Sequence, residues 1–144
     1  MIRALGALLV GSILLGACGS ISAATALTSW VVQSSYPSSA STLVTDARHS
    51  ANVLKSPTTS NADLHTVCGV LLVDTESANA SLPTPDSRAT TLLSKAYTDL
   101  GAGANECYVA SSSVSARSRA LRSLASGLAH LSEGSARIAS ASAP

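Results

Sequence analysis

The stretch "VSARSRALRSLASGLAHLSEGSARI", Val114 to Ile138, decides the fold class. Its apolar residues Val114, Leu121, Leu124, Leu128, Leu131 and Ile138 follow one another in steps of three, four or seven. That spacing places them on one narrow stripe of a helix, whereas a half-buried strand alternates at every second residue. No proline interrupts the run. The pattern predicts one long amphipathic helix.

The same period recurs upstream. Ala89, Leu93, Ala96, Leu100, Gly103, Cys107 and Ala110 define a face of a preceding helix, which Asp86 or Ser87 can cap. Gly101 and Gly103 are expected to weaken that helix, each by about 1 kcal/mol against Ala. The segment "SLPTPD", Ser81 to Asp86, is the clearest break in the chain, because each proline pushes the residue before it into extended backbone. Before the break, Leu64, Cys68, Leu71, Thr75 and Ala78 mark another helix face, with Asn61 or Asp63 as its cap. Leu43, Ala47, Ala51 and Leu54 line a further helix that stops near Ser56-Pro57. Leu27, Trp30 and Val31 suggest a short first helix ending at Tyr36-Pro37. The expected architecture is all-α: an antiparallel up-down bundle of about four long helices plus a short N-terminal helix. Residues 30–139 form the bundle domain, and 140–144 a flexible tail.

The chain has 144 residues, enough for one domain around one core. It has no Phe and only one Trp and three Tyr. The core must therefore be built from Leu, Val and Ala, and its helices can approach one another closely. Nine basic residues face eight acidic ones, and no clustered basic excess points to nucleic acid.

The N-terminus carries one charge, Arg3, followed by an apolar run from Ala4 to Leu15. About 12 residues suit the apolar region of an export signal; a span needs ~20. The run exits into Leu15-Gly16-Ala17-Cys18, which resembles the lipobox of bacterial lipoproteins. The resemblance implies that residues 1–17 are a signal peptide removed by signal peptidase II. It also implies that Cys18 carries the lipid, and that residues 18–29 form a Ser/Ala-rich tether. Gly19 in place of Asp lacks the signal for inner-membrane retention in Gram-negative cells. The alternative is cleavage after Ala24 within Ser22-Ala23-Ala24, which would release a secreted protein. The stretch from Pro83 to Tyr108 is similar to small exported helical proteins of actinobacteria, a resemblance that implies no activity.

With Cys18 used or removed, Cys68 and Cys107 remain, and an even count on the exported side favours a disulfide; the alternative is two buried thiols. A bridge there requires the fourth helix to overhang the third by about 15 Å, at ~1.5 Å of rise per residue. The extended proline loop can cover that distance.

Chemistry-bearing motifs are sparse. His49, His65 and His130 fall on three different helices, and the inward Glu-x-x-His pattern of bundle metal sites is missing. Asp46 with His49 and His130 with Glu133 read as solvated pairs. There is no Gly-x-Ser-x-Gly elbow, phosphate loop or dinucleotide fingerprint. From Val114 onward Arg117, Arg119, Arg122 and Arg137 stand against Glu133, a balance of +3. Arg117, Arg119 and Arg122 are therefore a candidate face toward anionic headgroups or an acidic partner, set against a plain solvated face within the bundle. The reading of the whole is a non-enzymatic helical binding module, without cofactor. It is anchored through Cys18 on the outer face of the bacterial cytoplasmic membrane and has a cell-envelope partner. The alternative is a ligand- or metal-binding helical lipoprotein.

Overall fold

The computed structural model describes residues 22–143; the expected signal peptide, 1–17, and Cys18 lie outside the described residues. Five helices follow in order: α1 (Ala23–Gln33), α2 (Tyr36–Lys55), α3 (Asn61–Asn79), α4 (Ser87–Val109) and α5 (Val114–Ser142). Among the described residues there is no strand. The four long helices form an up-down bundle in the cyclic order α2, α3, α4, α5, and α1 packs on α2 and α5.

Local chemistry starts most of these helices. Ser22, Ser60, Asp86 and Ser113 each sit at an N-cap, and each side chain accepts a hydrogen bond from the backbone N–H three residues on. The cap of α3 is therefore Ser60, not Asn61 or Asp63; the Asp63 N–H is its donor. Helix α2 starts differently. Ser35 holds a left-handed backbone (φ 51°) that turns the chain sharply after α1, and Pro37 occupies the first turn of α2.

The sequence-derived faces of α3 and α4 are the buried faces: Leu64, Cys68, Leu71, Thr75 and Ala78 on one, and all seven positions from Ala89 to Ala110 on the other. Three further expectations change. Residues 23–29, assigned to the tether, belong to α1, because Leu27 is buried and draws its neighbours into the helix. Residues 140–142, assigned to the flexible tail, are the last residues of α5. Val114 leaves the core stripe: it is the first residue of α5, beyond the bundle's edge, and 79% exposed.

The place of Val114 in the stripe goes to small residues. The buried face of α5 is Ala120, Leu124, Gly127, Leu131, Gly134 and Ile138. A Cβ on Gly127 would lie 2.7 Å from Leu100 Cγ and 2.8 Å from its backbone nitrogen. On Gly134 it would meet Leu93, and on Gly103 it would meet Leu124 at 2.8 Å. Three leucines thus fill three glycine notches across the α4–α5 contact, and the two backbones approach closely in a dry, interdigitated interface.

The α3–α4 loop carries the overhang. Cys68 lies 11 residues before the end of α3, and Cys107 lies 20 after the start of α4. Their Cα atoms are nevertheless 5.8 Å apart. The nine-residue difference is about 14 Å of helix. The loop is pinned while it climbs. Thr84 donates its N–H to Thr90 Oγ1 at 2.9 Å and its hydroxyl to the Asp86 carbonyl at 2.6 Å. Trp30 Nε1 donates to the Ser81 carbonyl at 2.9 Å, which ties α1 to the same loop.

The notches separate two neighbouring glycines by their effect. Gly103→Ala should destabilise the fold by about 1–3 kcal/mol through overpacking against Leu124. At Gly101 a Cβ meets only Thr75 Cγ2 at an ordinary 3.6 Å, so Gly101→Ala should stabilise by up to about 1 kcal/mol. Urea unfolding of the two variants beside the native chain checks the opposite signs.

Candidate functional site

The α2–α5 side of the bundle lacks the glycine notches that close α4 on α5. Ala51 on α2 and Ala125 on α5 present only methyl groups, and between them and Leu121, Leu124 and Leu128 an open trough of about 400 Å³ remains. Arg48, Asn52 and Lys55 stand along its α2 rim. A second section of about 270 Å³, sharing Lys55 and Leu121, continues past Leu54, Pro57 and Val114. The exposed Val114 therefore belongs to the wall of this groove.

Arg117 closes one end of it. Its Nη1 donates to the Leu54 carbonyl at 3.2 Å and the Ser56 carbonyl at 2.7 Å, while Nε donates to the Ser111 carbonyl at 2.7 Å. The guanidinium satisfies carbonyls that the C-terminus of α2 leaves without partners, where a cation is also favoured by the helix dipole. The three arginines of the candidate cationic face are thus put to different uses. Arg119 lies 3.7 Å from Glu106, half-exposed, in a surface pair of small energetic weight. Arg122 is exposed on the same side of α5 as Arg119, while Arg117 points elsewhere into the turn.

The polar side chains along the α4–α5 seam are structural in their geometry. Asp99 Oδ2 accepts from Ser126 Oγ at 2.7 Å and lies 2.9 Å from His130 Nδ1. Serine, histidine and aspartate are together, but the carboxylate sits in the middle. Nucleophile activation needs the imidazole between the hydroxyl and the acid, so this trio orders the seam and does not activate Ser126. Ser123 donates to Glu106 at 3.1 Å in the next turn.

The other two histidines are far from this trio in the sequence and on other helices. His65 stacks on Tyr108 with ring centroids 4.3 Å apart. His49 is on α2 beside Asp46, whose carboxyl is raised above its ordinary value by burial and then by Asp74 across the α2–α3 contact, with His49 opposing. Among the described residues no three His, Cys, Asp or Glu side chains gather in a metal-holding arrangement. Nor is any described helix long and apolar enough to cross a membrane. Burial lifts the phenols of Tyr36 and Tyr97; the Tyr36 hydroxyl reaches Ser135 at 2.7 Å, which partly offsets its shift.

Cys68 and Cys107 are fully buried, with their sulfurs at disulfide distance across α3 and α4. Asp86 holds the opposite end of α4. It caps the helix through the Ala89 N–H at 2.7 Å and takes a two-pronged contact from Arg137, Nη2 at 2.6 Å and Nε at 3.1 Å. These bonds lower its carboxyl to about 2, with Arg137 the largest cause. The groove itself was not visible in the sequence. Its only signal there is the i, i+7 spacing of Arg48 and Lys55 on one side of α2.

No protein-family model, curated protein or solved structure matches the chain.

Two outcomes follow from this geometry. Because the folded-state carboxyl of Asp86 lies below its unfolded value, its stabilisation is complete above about pH 4 and fades as the pH falls toward 2. Melting temperatures from pH 6 to 2 should fall less steeply for Asp86→Asn than for the native chain. Denatured, unreduced protein should show no titratable thiol from Cys68 or Cys107. Reduction should cost roughly 4 kcal/mol, the chain-entropy value for a separation of 39 residues; two free thiols would contradict the bridge.

Proposed function

We propose that this chain is an extracytoplasmic binding module, tethered to the outer face of the bacterial membrane through a lipid on Cys18. Its binding surface is the α2–α5 groove, and it carries no catalysis of its own. The groove is the observation that carries the reading. It combines an apolar floor with polar groups confined to the rim, the composition of ligand sites in general, at a volume within the usual ~300–1,000 Å³. The lipobox resemblance of Leu15 to Cys18 supports the anchor. The two buried cysteines at disulfide distance support an oxidising compartment, where such pairs persist. Two or more acyl chains on Cys18 would make the attachment stable, since one chain binds a bilayer only marginally.

The anchor and the surface are tested separately. Intact-mass spectra of the chain made in a bacterial host should show an acylated Cys18, and Cys18→Ala should remove both the acyl mass and detergent partitioning. An unmodified N-terminus at Thr25 would replace anchoring by plain secretion. For the surface, a photo-crosslinking residue in place of Asn52, on the groove rim, should form adducts in intact cells. One in place of Val70, exposed on α3, should not. Equal labelling from both positions would remove the groove as the binding surface.

A further inference from the structure

The chemistry of the groove's occupant follows from its two unpaired cations, given the reading of the groove as the binding surface. Arg48 and Lys55 are seven residues apart on α2, so they share an angular position about 10 Å apart along the axis. Both are exposed, and neither takes part in an ion pair among the described residues. No carboxylate lines either section of the groove. The third cation in its wall, Arg117, is already spent on backbone carbonyls. The rim therefore offers two uncommitted positive charges over an apolar floor, complementary to a molecule with one anionic end and a long apolar body.

Dimensions choose among such molecules. From Val114 to Leu128 the groove follows α5 for about 21 Å. An acyl chain in one leaflet covers half of a hydrocarbon core ~30 Å thick, so a single chain fits this length. A docked helix does not. At about 10 Å across, it would rest on the trough by one face and not lie within it. We infer that the α2–α5 groove binds one long-chain fatty acid anion. Its chain runs along both sections, from Leu128, Ala125 and Ala51 past Leu121 toward Leu54 and Val114, and its carboxylate sits at the α2 rim within reach of Arg48 and Lys55.

The test uses the full lipidated chain in nanodiscs of neutral phosphatidylcholine, with a photoreactive palmitate as probe. Adducts should map to the groove walls and saturate. Unlabelled palmitate should compete, hexadecanol should compete about tenfold less well, and octanoate least, because each buried methylene changes affinity roughly fourfold. The double variant Arg48→Gln, Lys55→Gln should lower labelling about tenfold. Ala125→Trp, which fills the trough from an exposed position and leaves both charges, should abolish it. Circular dichroism and melting temperature confirm that both variants fold. Labelling that is spread over the surface, or unchanged in both variants, overturns the proposal. Labelling lost with the charges but kept in Ala125→Trp assigns the cations to the membrane surface and overturns it equally. If palmitate adducts are absent while crosslinks from position 52 persist, the ligand class falls and the binding surface stands; loss of both removes both.

Discussion

Leucine in a glycine notch is the contact on which the rest of this bundle depends. Leu93 against Gly134, Leu100 against Gly127 and Leu124 against Gly103 bring α4 and α5 so close that a single added carbon has no room. In each pair the two residue numbers advance in opposite directions by the same amount, which fixes one antiparallel register. That register aligns Asp86 with Arg137, Asp99 with His130 and Glu106 with Ser123, so the polar seam is a consequence of the notches. A core without phenylalanine gains its contact area this way: many short side chains at small separation, in place of a few large rings.

The same arrangement explains why one side of the bundle stays open. Close approach of α4 and α5 depends on glycine at matched positions. Helix α2 has no glycine at all, and its small residues facing α5 include Ala51, opposite Ala125. Alanine is too large to let the backbones meet and too small to fill the space it leaves. Arg117 then works as a spacer and clamp at one end, holding the last carbonyls of α2 to the α4–α5 turn. The groove is thus the counterpart of the tight seam on the other face of α5.

Apolar period made most of the fold legible. On α3 and α4 every residue placed on the inward face is buried, because a three-four repeat has only one helical face to occupy. The closeness of Cys68 to Cys107 and the overhang of α4 were legible too, from cysteine count and loop length. Gly127 and Gly134 were not, because a glycine adds nothing to an apolar stripe and its value lies in the neighbour's side chain. Val114 misled for a related reason: its type suits a core, while its place at the first turn of α5 sets it beyond one. The arginines show the same limit for charge. Proximity in sequence grouped Arg117 with Arg119 and Arg122, but a step of two residues turns a helix by about 200°, and Arg117 faces another set of acceptors. Arg48 and Lys55 carry no sequence signal beyond their charge and spacing; their meaning comes from the trough beside them.

The tie between Trp30 and the Ser81 carbonyl has a spectroscopic consequence. Trp30 is the single tryptophan of the chain, half-buried, packed against Tyr36 with ring centroids 5.4 Å apart and planes tilted by 41°, and hydrogen-bonded to a loop 51 residues away. Its emission is therefore a label placed by nature on the docking of α1, well separated in sequence from the Leu121 to Leu128 wall of the groove. Should α1 detach from the bundle ahead of the four long helices, the indole would pass into water while helical circular dichroism stayed nearly constant. The two signals would then divide one melting curve into two events, with α1 as the first to leave.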